Sequence, residues 1–141
     1  MEIDKIILFQ LDKTSKVAKM YSQREFDKMG IKITVEQWIL LTIVHEFDGL
    51  TQKELAEKSF RDPASITRTL DLLNERDFIE RKAVPNDRRQ YNICLKQEGT
   101  EFIKKYLHII EAHRAKSIEG LSDNDLKELD RILKKMQLNM S

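Results

Sequence analysis

Residues 50–73 read LTQKELAEKSFRDPASITRTLDLL, and two helix starts are written into them. Thr51 and Glu54 stand at the three-residue spacing of a capping box, in which each side chain satisfies a backbone N–H of the other residue, and Leu50 and Leu55 flank them as a hydrophobic staple. That short helix is expected to run to about Lys58. Asp62-Pro63 opens the next one: the carboxylate caps, and proline at the first helical position gives up only an N–H that has no helical partner there. The second helix sets Ile66, Leu70 and Leu73 on one face. Its opposite face carries Ala64, Ser65, Thr67, Arg68 and Asp71, which are small or polar and look outward.

Upstream, Ile33-Thr34-Val35-Glu36-Gln37-Trp38 repeats the device, with Thr34 as cap, Gln37 reaching back and Ile33 stapled to Trp38. A helix should follow to about Glu46, where Asp48-Gly49 breaks it. Downstream, the strand-like runs Phe78–Lys82 and Tyr91–Leu95 flank Val84-Pro85-Asn86-Asp87-Arg88-Arg89, which reads as a β-hairpin with a basic tip. Three short helices and a basic hairpin in that order suit a winged helix-turn-helix. Its last helix enters a major groove of DNA by its N-terminal residues, while a hairpin arginine reaches the minor groove.

The flanks are helical. Ile3, Ile7, Leu11, Thr14, Ala18 and Tyr21 follow one another at spacings of three and four, up to Met29-Gly30. From Glu98 a broad stripe contains Phe102, Ile103, Tyr106, Leu107, Ile109 and Ile110. After Gly120, Ser122 caps a final helix, in which Leu126, Leu129, Leu133, Met136 and Met140 recur at heptad-like spacing. Three long amphipathic helices cannot all bury their apolar faces on so small a lobe, so an interface between two copies is expected. The fold class is therefore mainly α with a small β-hairpin wing.

Composition agrees. At 141 residues the chain has the size of one domain, and Gly 4, Pro 2 and 7% aromatics favour helices over a turn-rich β-sandwich. Charged residues reach 35%, yet 25 basic and 24 acidic residues leave a net charge of +1, so any site for a polyanion must come from local clustering. Between Arg81 and Arg89, Arg81, Lys82, Arg88 and Arg89 stand against Asp87 alone. A single cysteine, Cys94, excludes an internal disulfide, and the longest apolar run, Ile6–Phe9, is far shorter than a membrane span. With no signal-peptide pattern at Met1–Lys5, a cytoplasmic protein without membrane contact is expected.

Thr51-Gln52-Lys53-Glu54-Leu55-Ala56, Ile66-Thr67-Arg68, Phe78-Ile79-Glu80-Arg81, Asn86-Asp87-Arg88-Arg89 and Leu95 to Gly99 together resemble the MarR family of bacterial transcription regulators. The resemblance is specific from about Ile33 to Gly99 and extends to the flanks in pattern only. It implies one domain over 1–141, with residues 1–30 and 97–141 as dimerisation helices and 33–96 as the winged-helix lobe. It further implies a homodimer on a pseudo-palindromic operator in double-stranded DNA, repression, and a small-molecule effector held between dimer helices and lobe. By position, Ser65, Thr67 and Arg68 fall on the recognition helix, Asp87 and Arg89 form the wing pair, and Arg88 lies beside them. Arg61, just before the helix, is placed to hold phosphate. Three positions depart from the family pattern: Lys96 where threonine is common, Asp77 where glycine is common, and Ala64 in place of a hydroxyl residue.

Other readings find less support. Either hydroxyl of Ser65 and Thr67 can bond a backbone group of its own helix. His108 and His113 are five residues apart, unlike the four-residue step of a helical zinc pair, and Cys94 lacks the setting of a redox sensor. No phosphate-cradling glycine loop, nucleophile elbow or metal-ligand spacing is present, so no enzyme, metal or cofactor is expected. The alternative is a winged helix used as a protein-interaction module, which would lack the steep salt dependence of phosphate contacts.

Overall fold

The structure is a computed structural model describing residues 1–141, which form two compact units, Met1–Ile110 and Glu111–Ser141. The first unit holds α1 (Ile7–Lys28), α2 (Val35–Glu46), α3 (Gln52–Ser59), α4 (Pro63–Glu75), the hairpin strands β1 (Ile79–Val84) and β2 (Asp87–Leu95), and the start of α5 (Gln97–Ser117). The second unit contains α6 (Asp123–Asn139).

The caps stand where the sequence puts them. Thr34 with Gln37, Thr51 with Glu54, and Ser122 with Asp125 all close reciprocal capping boxes, and Asp62 accepts the Ser65 N–H at 2.9 Å with Pro63 at the first helical position. The helix ends are as well defined. After α1, Ile31 N–H donates to Phe26 O at 3.0 Å and Gly30 N–H to Asp27 O at 3.2 Å, a Schellman pair with Gly30 at φ +68. After α4, Phe78 and Asp77 bond Leu73 O and Asn74 O in the same way, so Asp77, at φ +59, fills the left-handed position that glycine usually takes.

Two expectations are corrected. The N-terminal stripe does not begin one helix at Ile3: a short 3-10 turn, Ile3–Lys5, comes first, and Ile6 is extended before α1. With Ile6 extended, Gln10 bonds across the junction to Asp4 O. The hairpin tip is also tighter than the composition of 84–89 indicates, because only Pro85 and Asn86 form the turn and Asn86 takes φ +67. Regular pairing runs from Ile79↔Leu95 to Ala83↔Tyr91, then jumps to Val84↔Asp87. Arg88, Arg89 and Gln90 therefore lie in a bulge of β2 rather than at the tip.

The core of the first unit gathers Leu40, Leu41 and Val44 of α2, Leu55 of α3, Ile66, Leu70 and Leu73 of α4, and Ile79 and Ile93 of the hairpin, all essentially without exposure. Trp38 is core as well, 3% exposed, edge-on to Phe26 and tilted against Phe102. Phe102 continues the aromatic series to Phe78 and Tyr106, with centroids 4.7 and 4.8 Å away. Arg76 lies over the Phe78 and Phe102 rings while donating to Lys32 O. The loop before α3 is stitched to β2 by Gly49 N–H to Ile93 O and Ile93 N–H to Leu50 O, at 2.9 and 2.8 Å. No helix is long and apolar enough to cross a membrane.

One residue is held against its preference. Phe60, in the turn between α3 and α4, is 95% exposed and sits at φ +53, where a side chain costs ~1–2 kcal/mol. Phe60→Gly is expected to raise stability by about 0.5–1 kcal/mol, the strain relieved less the entropy of an added glycine. Chemical denaturation measures this; an unchanged or lower midpoint would show that the backbone there is not strained.

Candidate nucleic-acid interface

The candidate surface is set by the buried face of α4. Because Ile66, Thr69, Leu70 and Leu73 are packed into the lobe, Ala64, Thr67, Arg68, Asp71 and Leu72 are turned to solvent, with Ser65 half-buried at the edge. Arg68 is exposed and its guanidinium makes no hydrogen bond or ion pair within the chain. The same holds for the guanidinium groups of Arg88 and Arg89. An unpaired arginine fork is free to meet a phosphate or a guanine edge.

The wing presents its arginines through its backbone. Asp87 Oδ1 accepts the Arg89 N–H at 3.0 Å, closing a local turn within the bulge, so the Asp87–Arg89 relation is a carboxylate holding the strand rather than a guanidinium. Arg81 and Lys82 are drawn elsewhere. Arg81 pairs with Asp71 of α4 at 2.6 Å and Lys82 with Glu80 at 3.3 Å. The Arg81–Asp71 pair ties β1 to α4, although at this exposure it adds under about 1 kcal/mol. Of the basic residues between 81 and 89, Arg88 and Arg89 are the ones left without an acidic partner.

Arg61 is placed differently from the others. Its side chain is 19% exposed; Nη2 donates to Ser65 Oγ at 2.6 Å and to Thr69 Oγ1 at 3.3 Å, and Nε lies 3.5 Å from Glu36 Oε2. Glu36 in turn pairs with Lys19 of α1 at 2.8 Å. Arg61 thus braces α4 against the start of α2. Its Nη1 is buried without a partner in the chain.

Between α3, the start of α4 and β2 lies a cleft of about 710 Å³, with Gln52, Lys53, Arg61, Pro63, Arg89 and Tyr91 among its lining residues. The cleft places a wing arginine opposite the two helix starts. Sequence reasoning had not singled out Gln52, Lys53 or Glu36; their one signal was position, the first two at the opening of α3 and Glu36 in the first turn of α2. Cys94 is half-buried, and burial, followed by the carboxylate of Asp48, pushes its thiol above the usual range, so the protonated form is favoured.

A hairpin wing following a capped, outward-facing third helix defines a winged helix-turn-helix protein. The sequence model of the MarR family matches residues 33–91, which lie within the lobe. Solved structures share the fold along nearly the full chain. A MarR/EmrR family transcriptional regulator from Acinetobacter sp. ADP1 superposes with a TM-score of 0.88 at 18% identity, covering 99% of this chain and 98% of its own. S. aureus MepR, solved as a DNA complex, gives 0.85 at 22% identity over 96% and 99%. A mutant of E. coli MarR complexed with operator DNA gives 0.80 at 20% identity over 90% of each chain.

Proposed function

We propose that this protein is a sequence-specific DNA-binding transcription regulator that acts as a homodimer. The observation that carries the reading is the set of three exposed arginines, Arg68 on α4 and Arg88 and Arg89 in the bulged wing, whose guanidinium groups have no partner within the chain. Arg68, near the start of α4, is assigned to a base edge in the major groove, and the wing arginines to backbone and minor groove. Ser65 and Thr67 complete the helix face, and Asp87 shapes the wing. Arg61, which sequence position assigns to phosphate, acts in this reading chiefly by holding α4. The match to DNA-bound relatives supports the same assignment.

The lobe is residues 33–96, and residues 1–30 and 97–141 form the dimer. Apolar side chains support this: within the first unit Ile7, Leu8, Val17 and Met20 are exposed, and in the second Leu129, Ile132, Leu138 and Met140. Two lobes joined in this way address successive major grooves ~34–36 Å apart. A small molecule bound beside the dimer helices relieves repression by changing that spacing.

Arg68→Ala is expected to weaken binding to the preferred duplex about 10- to 100-fold and to relax its base preference, whereas Arg89→Ala weakens all duplexes alike and lowers the salt slope by about one. Fluorescence anisotropy on preferred and scrambled DNA at several salt concentrations separates the two. Equal loss on both duplexes for Arg68→Ala would remove its base-reading role. Flat salt dependence of the parent protein would favour a protein partner for the wing instead.

A further inference from the structure

The hydroxyl of Thr67, the outward residue beside Arg68, is already engaged. It has one hydrogen, and that hydrogen goes to Pro63 O, 3.0 Å away and one helical turn back. The same oxygen accepts from Gln52 Nε2 at 2.7 Å. Because the Thr67 hydrogen points to Pro63, only the nitrogen of the Gln52 amide can face Thr67, and this fixes which way the amide is turned. Thr67 is exposed, and its Cγ2 methyl is the part of the side chain left to meet a ligand. Gln52 retains Oε1 and its second N–H, an acceptor beside a donor, with no other bond to the chain.

This pair of groups has a definite complement. Adenine shows an N6 donor beside an N7 acceptor in the major groove, the pattern that a glutamine amide matches with two bonds, while thymine shows a C5 methyl. Gln52 opens α3, and its bond to Thr67 brings it alongside the exposed face of α4. We infer that Gln52 is a base-reading residue for an adenine, with Thr67 as its positioning residue and as the apolar contact for a thymine methyl. This inference rests on the DNA-binding reading above. It gives α3 a share in specificity that the recognition helix alone does not supply.

The test uses the full chain and the duplex it enriches from a random pool, with adenines replaced one at a time by 7-deazaadenine, which lacks N7, and thymines by deoxyuridine, which lacks the methyl. The parent protein should lose about tenfold in affinity at one adenine per half-site and severalfold at one thymine. Gln52→Ala should bind the 7-deazaadenine duplex and its parent duplex equally. Thr67→Ser, which keeps the hydroxyl, should stop responding to deoxyuridine but still discriminate adenine; Thr67→Val should do the reverse, since it keeps a methyl and releases Gln52. Gln52→Ala that still distinguishes 7-deazaadenine, or a parent protein indifferent to it at every position, would overturn the assignment alone. Failure to enrich any duplex would overturn it together with the DNA-binding reading.

Discussion

Glutamate at both Leu129 and Ile132 is expected to give monomers with a folded lobe and a loss of operator affinity of about 10²- to 10⁴-fold. The two residues are 46% and 44% exposed on α6, and neither contributes to the buried core, so the double change leaves lobe packing untouched. What it removes is apolar surface that a second copy covers in the proposed dimer, and burying four carboxylates across a two-fold axis is strongly unfavourable. Affinity falls because a dimer binds its second half-site intramolecularly, an advantage of about 10²–10⁴ that each monomer forfeits. Sedimentation equilibrium and anisotropy on the same samples read both effects. A variant that remains dimeric at micromolar concentration would place the interface elsewhere.

The second large effect concerns the joint between wing and α5. A Cβ added at Gly99 would lie 2.4 Å from Phe78 O and 2.8 Å from Leu95 Cδ1. The carbonyl is the neighbour that does not yield: Phe78 O also accepts the Lys96 N–H at 2.9 Å, and it belongs to backbone, whereas Leu95 Cδ1 is the end of a side chain. Gly99→Ala is therefore expected to cost about 3 kcal/mol, the upper range for overpacking, and to lower Tm by roughly 10 °C. Thermal unfolding followed by circular dichroism measures it. A shift within a degree or two would mean that α5 can retreat from the hairpin freely.

The lobe was legible because its signals are local. Thr34, Thr51, Asp62 and Ser122 each declare a helix start within four residues, and each cap forms as written. Asp77 was legible in part: it stands where glycine is common and can take the left-handed conformation at some cost, while the Schellman bonds that close α4 around it appear only in the structure. The hairpin tip was misplaced because Val84–Arg89 is rich in turn-forming and charged residues throughout. Which of them turn and which bulge is decided by pairing across the hairpin, from Ala83↔Tyr91 to Val84↔Asp87.

The interface was legible in residue type but not in partnership. Sequence spacing puts Ser65, Thr67 and Arg68 on one face, but it cannot tell that Thr67 is bound by Gln52, fifteen positions away, or Ser65 by Arg61. Nor can it divide the basic cluster of the wing, in which Arg81 is drawn to Asp71 and Lys82 to Glu80 while Arg88 and Arg89 stay free. These distinctions arise from tertiary contacts, and they decide which groups remain to meet a ligand.

Anisotropy of the full chain with its enriched duplex and a scrambled one, from 50 to 200 mM salt (roughly the span over which phosphate contacts are most visible), tests the central claim most directly. A sequence-specific regulator should prefer the enriched duplex by about 10³-fold or more, with affinity for both falling steeply as salt rises. Equal affinity for the two duplexes, or binding that does not change with salt, would contradict it.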